Sequence, residues 1–141
     1  MKSFLTGRGI MISTLYVFLK LKLPMRLFWK YKHIEVSFHD DDFSEICWDS
    51  VRDHATIKVG KEGCKRTSFL HELGHYIHYK SVNITTLKRT HTKKREKLAW
   101  RYAIELAQKY RIDFDYKHAE YCLSTYGYKS RHIEKRMLTE S

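Results

Sequence analysis

Residues 71–78 read HELGHYIH, and they hold three of the nine histidines of this 141-residue chain. His71 and His75 are four positions apart, so on a helix their side chains lie one above the other. The apolar residues in and just before the segment share the other side of such a helix: Phe69, Leu70, Leu73, Tyr76 and Ile77. The pattern predicts a helix that packs on one face and carries its histidines on the opposite face.

This helix is expected to run from about Thr67 or Ser68, either of which could cap it, to about Lys80. Its H-E-x-x-H arrangement is typical of zinc sites, because two imidazoles one helical turn apart can bind the same ion. A catalytic zinc takes three protein ligands and leaves one position for water, whose pKa it lowers. Glu72 is placed to take the proton of that water and pass it to a leaving amine. We therefore expect one Zn²⁺ per chain, with both motif histidines as ligands and Glu72 as the catalytic carboxylate.

His78 lies on the same side of the predicted helix, about 10.5 Å of axial rise beyond His71. That separation is too long for His71, His75 and His78 all to bind one ion tetrahedrally. His78 is therefore expected to be a neighbour of the site, and the third ligand must come from elsewhere in the chain.

A second long helix is predicted over residues 95–110, and it offers Glu96 and Glu105 as the third ligand. Glu96 falls within the apolar stripe of that helix, where an unpaired carboxylate would be costly to bury unless a cation faced it. Glu105 falls beside charged and polar residues and is expected to be solvated. The alternative for Glu96 is that it only begins the helix and interacts favourably with the helix dipole.

Two stretches of the chain resemble the ImmA/IrrE family of zinc metallopeptidases, minimal gluzincins found in phages, mobile elements and bacteria. They are HELGH and, 21 residues after its second histidine, EKLAWRYAIELA, which is similar to the E-x-x-A-x-x-[FY]-A run of the family. The lead-in KRTSFL before HELGH is similar as well. The resemblance implies that His71, His75 and Glu96 ligate zinc and that Glu72 is the catalytic carboxylate.

The resemblance also implies a function, the zinc-dependent hydrolysis of peptide bonds in a protein or peptide substrate. Members of the family cut helix-turn-helix repressors, so a DNA-bound repressor-type regulator is the substrate class expected here. The alternative belongs to a different class: a basic DNA- or protein-binding regulator whose metal is structural or absent. An oxyanion donor is expected for a peptidase, and the sequence does not choose among Tyr110, His118, Tyr121, Tyr126 and Tyr128.

Three short runs rich in β-forming residues precede the motif helix: HIEVSF (33–38), EICWD (45–49) and ATIKVG (55–60). We predict an α+β fold in which these strands form a small antiparallel sheet. The sheet is expected to pack on the motif helix, which the second long helix crosses, as in a minimal zincin-like domain. Shorter helices around 119–124 and 130–138 are expected to close the chain.

The length of the chain predicts a single metallopeptidase-like domain over residues 1–141. Its core is expected over about 31–115, between an N-terminal packing segment (1–30) and a helical tail (116–141). The first segment contains GIMISTLYVFL (9–19), which is shorter than the roughly 18 apolar residues of a membrane span. A packing helix or strand is therefore favoured over a membrane anchor.

Lys and Arg outnumber Asp and Glu by 27 to 16, and the resulting charge of +11 favours encounters with polyanions or acidic proteins. The basic segment 87–97 and a helix-turn-helix-like spacing in the tail leave direct nucleic-acid binding as an alternative, less favoured than solvated lysines and helix packing. Cys47, Cys64 and Cys122 are too widely spaced to indicate a disulfide framework or a zinc knuckle. A reducing cytoplasm is the expected compartment.

Overall fold

The computed structural model describes residues 7–128, in which the chain forms six helices and three strands. In order they are α1 (Gly7–Lys20), α2 (Met25–Tyr31), β1 (Glu35–Phe38), β2 (Glu45–Asp49), β3 (His54–Val59), α3 (Lys65–Ser81), α4 (Ile84–Arg89), α5 (Thr92–Lys109) and α6 (Tyr116–Ser124). The predicted α+β class is confirmed, and the three strands form close to their expected places. The helix predicted over 130–138 lies outside the described residues.

The sheet is mixed, so the prediction of an antiparallel sheet is wrong. β3 lies in the centre, with β2 antiparallel on one side and β1 parallel on the other, which gives the order β1-β3-β2. Val36 of β1 and Ile46 of β2 are both level with Ile57 of β3. β1 and β2, although consecutive in the sequence, therefore lie at opposite edges of the sheet.

The connection between β1 and β2 explains this topology. Residues 39–44 cross the end of β3 instead of turning back as a hairpin, and the His39 N–H donates to the Val59 carbonyl at 3.1 Å. Gly60 lies directly under the crossing, where a Cβ atom would be 2.5 Å from the Asp42 carbonyl oxygen. Glycine is needed there because any side chain would push the crossing loop away.

The two N-terminal helices supply part of the hydrophobic core. Phe18 of α1 is fully buried and meets Phe28 of α2 and Phe69 of α3 edge to face, with ring centroids 5.5 and 5.3 Å away. The buried hydroxyl of Thr14 also accepts a hydrogen bond from the Val36 N–H at 3.2 Å, at the outer edge of β1. This segment therefore packs as helices against the sheet and α3.

α3 and α5 cross in close contact and frame the site. At the crossing, a Cβ atom on Gly74 would lie 2.1 Å from the carbonyl oxygen of Ala99. α3 also contacts β2 and β3. The predicted cap of α3 is wrong, because Cys64 occupies the N-cap position and the buried hydroxyl of Thr67 instead accepts from the Asp115 N–H at 2.9 Å. Ser68, the other predicted cap, likewise lies within the helix.

The sequence patterns did not predict α4, and they placed the start of α6 too late. α4 lies in the connection between α3 and α5, and the Asn83 side chain caps it by accepting from the Thr86 N–H at 2.7 Å. α6 begins before its expected start, because Asp115 caps it by accepting from the His118 N–H at 3.0 Å. None of the helices within residues 7–128 combines the length and apolar character that crossing a membrane requires.

Candidate metal centre

Three side chains from two helices converge at the crossing of α3 and α5. His71 and His75 project from α3 one turn apart, and Glu96 projects from near the start of α5. Oε2 of Glu96 lies 2.9 Å from Nε2 of His71, and Oε1 lies 3.2 Å from Nε2 of His75. One ligand atom from each residue lies within 4.8 Å of the other two. The group could therefore hold a metal ion.

The spacing suits a four-coordinate ion. Nitrogen and oxygen ligands bound tetrahedrally to zinc at about 2.0–2.2 Å lie roughly 3.3–3.6 Å from one another. The two contacts of Glu96 with the histidines are slightly shorter than this, so a small movement of the side chains would admit an ion. Two imidazoles and one carboxylate are also a donor set that zinc takes in catalytic sites.

The charges of the group favour a cation. Burial lowers the pKa of His71, which keeps its imidazole neutral, as a metal ligand requires. Burial alone would raise the pKa of Glu96, but its hydrogen bonds with His71 and His75 outweigh this effect and hold its pKa well below the usual range. Glu96 thus carries a negative charge between the two imidazole rings, and a bound cation would compensate that charge.

Trp100 fixes the orientation of the first histidine. Its indole stacks on the imidazole of His71, with ring centroids 4.0 Å apart and planes inclined by 8°. His118 of α6 packs edge-on against the same indole, with centroids 5.9 Å apart. This stack was not predicted from the sequence. Its only signal is that Trp100 follows Glu96 by one turn of α5, which places both side chains on the same face.

Glu72 lies beside the three converging residues without being one of them. Its Oε1 is 3.8 Å from Nδ1 of His71, and the residue is 7% exposed. Burial, with the nearby negative charges of Glu96 and Glu45, raises the pKa of Glu72 to about 8. At neutral pH a carboxyl group with this pKa is mostly protonated, and a cation held beside it would favour the ionised form that can accept a proton.

A cleft opens at the site, and its two lobes share Ser44, Glu72 and Glu96. The larger lobe, of about 480 Å³, lies between α3, α5 and α6, and the smaller, of about 290 Å³, lies between α3, α5 and β2. Glu45 and Ile46 of β2 line the smaller lobe. Within residues 7–128 the edge of β2 that faces away from β3 has no partner strand. The cleft therefore offers space on both sides of the converging residues, with a free strand edge along one wall.

Two residues that the sequence did not select as ligands, His78 and Glu105, lie outside the group that could hold an ion. His78 is buried in α3 but is not part of the group that could hold an ion. Glu105 is paired with Arg101 on α5, with 3.6 Å between Oε1 and Nε. The oxyanion candidates divide into two sets: His118, Tyr121 and Tyr126 line the larger lobe, whereas Tyr110 and Tyr128 line neither lobe.

The structure of this chain by itself shows the group of a carboxylate from α5 and two histidines from α3. In comparisons with protein families, curated proteins and solved structures, nothing matches this chain.

Proposed function

We propose that the protein is a zinc-dependent metallo-endopeptidase of the kind that the ImmA/IrrE resemblance implies. In this proposal His71, His75 and Glu96 hold one Zn²⁺, and Glu72 is the catalytic carboxylate. One observation carries the proposal: Glu96 arrives from a separate helix between the two histidines, and Glu72 stands next to them in an open cleft. A simple ion-pair cluster would need neither the cleft nor the additional carboxylate.

The residues of the chain divide the chemistry among them. When bound, zinc would supply a Lewis acid and a water molecule of lowered pKa. Glu72 accepts the proton of the attacking water on its carboxylate and delivers it to the nitrogen of the leaving amine. The stack of Trp100 holds the His71 ring in place during these transfers.

The shape of the cleft supports a polypeptide as substrate. The unpaired edge of β2 carries backbone N–H and C=O groups that an extended peptide could pair with. Such a peptide would run along Glu45 and Ile46 and pass from one lobe to the other, across Glu72. A repressor-type DNA-binding protein remains the proposed substrate class, because the net charge of +11 would favour encounters near nucleic acid.

Metal analysis tests the ligand set. Purified protein should contain about one zinc per chain, and Glu96→Ala should lose most of it, because two histidines without the carboxylate form an incomplete site. His78→Ala is the matched control, since it removes a buried histidine of the same helix that is not part of the group. Full zinc retention in Glu96→Ala, or equal loss in both variants, would disprove the proposed third ligand.

Hydrolysis is tested separately from zinc binding. Glu72→Gln should retain zinc and lose cleavage, whereas Glu105→Gln, which alters a carboxylate on the outer side of α5, should behave as wild type. The assay compares new protein N-termini in cells expressing wild-type, Glu72→Gln or Glu105→Gln protein. If wild type and Glu72→Gln give the same set of termini, the alternative gains support, namely a basic binding protein with a structural metal or none.

A further inference from the structure

Exposed apolar side chains form a stripe along α1, on the side away from the core. Ile12, Tyr16 and Leu19 recur at helical spacing and are 59%, 55% and 61% exposed, while Val17 and Phe18 of the same helix are buried. α2 repeats the pattern with Met25 and Trp29, one turn apart and also exposed. Clusters of exposed apolar residues on a soluble domain commonly mark a surface that binds something apolar.

The charged residues of α1, α2 and the segments that follow them up to residue 34 all have one sign. The first acidic residue of the chain is Glu35, whereas six Lys or Arg residues fall within residues 7–34: Arg8, Lys20, Lys22, Arg26, Lys30 and Lys32. Two of the ammonium groups lie beside the exposed aromatic rings. Nζ of Lys20 is 5.6 Å from the ring centroid of Tyr16, and Nζ of Lys32 is 4.4 Å from that of Trp29.

We propose that α1 and α2 dock the protein on the surface of an anionic lipid bilayer. The docking surface consists of Ile12, Tyr16, Leu19, Met25 and Trp29 with their flanking lysines. Aromatic rings suit the headgroup level of a bilayer, apolar side chains reach the acyl boundary, and lysines beside them contact lipid phosphates. The helices lie in the interface, because α1, with 14 residues, is too short to span the hydrocarbon core.

The composition of the surface favours lipid over the other occupants. Nucleic acid is bound mainly through cations on phosphates and gives no role to exposed Ile12 and Leu19. A second copy of the chain would bring two sets of lysines together without acidic partners, which is electrostatically unfavourable. The residues that line the catalytic cleft begin at Phe43, so docking through α1 and α2 leaves both lobes open.

The test measures binding of the full-length protein to vesicles. The protein should sediment with vesicles of phosphatidylcholine and phosphatidylglycerol, and it should bind much more weakly to vesicles of phosphatidylcholine alone. Trp29 is the most exposed of the three tryptophans, so binding should shift the fluorescence emission to shorter wavelength.

Ile12→Ser/Leu19→Ser should weaken binding by about tenfold or more without changing the melting temperature, because each residue buries several CH₂ or CH₃ groups in lipid. Val51→Ser, at an exposed apolar residue in the β2–β3 turn, should bind as wild type.

Other outcomes would overturn the proposal. Absence of binding to the anionic vesicles would rule out lipid as the occupant of the docking surface. If the wild-type protein were then a dimer that Ile12→Ser/Leu19→Ser dissociates, the occupant would be a second copy of the chain. If Ile12→Ser/Leu19→Ser bound the anionic vesicles as tightly as wild type, binding would come from non-specific charge attraction and the proposed docking surface would be wrong. Glu72→Gln should bind vesicles as wild type does, so the result is independent of the peptidase proposal.

Discussion

The ring of His71 is held on two sides, by the carboxylate of Glu96 and by the indole of Trp100. Both partners come from α5, so the orientation of this imidazole depends on the position of a single neighbouring helix. A ligand fixed in this way loses little conformational freedom when an ion binds, which favours affinity and a constant geometry. The geometry of the candidate metal site therefore depends directly on the packing of α3 against α5.

Tyr126 is one of three oxyanion candidates that line the larger lobe of the cleft. The negative charge of Glu96 raises the pKa of the Tyr126 hydroxyl, so this group lies within electrostatic reach of the site and keeps its proton to donate. If the protein is a peptidase, Tyr126→Phe should lower kcat by about 100-fold and leave the zinc content unchanged. The measurement is the rate of cleavage at a terminus lost in Glu72→Gln cells, with zinc determined on the same samples.

Tyr110→Phe is the control for this prediction, since Tyr110 lines neither lobe of the cleft and instead packs against Arg26. Its kcat should match that of wild type. An unchanged kcat in Tyr126→Phe would remove Tyr126 from the mechanism and leave His118 and Tyr121 as the remaining candidates that line the larger lobe.

At the scale of elements, the crossing of α3 and α5 depends on the absence of a side chain at Gly74. Gly74→Ala would place a Cβ atom 2.1 Å from the carbonyl oxygen of Ala99, and backbone cannot give way as a flexible side chain can. We expect the free energy of unfolding to fall by about 1–3 kcal/mol, whereas the same change in an open helix stabilises by about 1 kcal/mol. Urea denaturation measures the free energy of unfolding, and the sign of its change therefore shows whether α3 and α5 approach as closely as described.

Gly74→Ala should also lower the affinity for zinc, because a Cβ atom at this position would push α5 away from α3 and so move Glu96 away from the two histidines. Lys65→Ala is the control. It lies at the exposed start of α3 and should change the free energy of unfolding by no more than about 0.5 kcal/mol. A stabilised Gly74→Ala variant that binds zinc as tightly as wild type would show that the helices do not approach as closely as described.

The elements that sequence analysis predicted well are those with a strong local signal. The apolar stripes of α3 and α5 determine both helices, and the β-branched run around Ile57 determines β3. The sheet topology has no such signal, because a loop that crosses Gly60 and a loop that closes a hairpin use similar residues. α4 was missed although Asn83 carried a cap signal, because a six-residue helix gives too little periodicity to detect.

At the scale of the whole molecule, the candidate site was predictable in composition but not in arrangement. The spacing of His71 and His75 and the burial argument for Glu96 selected three residues that the structure brings together. The walls of the cleft were not predictable, because Ser44 and Glu45 reach it only through the crossing connection between β1 and β2. Such a contact depends on tertiary packing, which local sequence patterns do not encode.

A bound ion would link α3 to α5, and its removal should therefore change the stability of the whole fold. A ligand that binds only the native state, at a free concentration about 1,000 times its dissociation constant, adds about 4 kcal/mol. For a chain of this length that corresponds to roughly 10 °C in melting temperature. Treatment with EDTA should lower the melting temperature of zinc-loaded protein by about this amount, and added zinc should restore it.

The metal-free protein should nevertheless unfold cooperatively, because the core built around Phe18, Phe69 and Ile57 contains none of the proposed ligands. The controls separate the ion from other effects of the chelator: Glu96→Ala should melt at the same temperature with and without EDTA, whereas His78→Ala should respond as wild type does. Complete unfolding by EDTA would mean that the core cannot stand without the ion. An unchanged melting temperature in zinc-loaded wild type would mean that no ion joins the two helices, and the assignment of Glu96 as a ligand would be withdrawn.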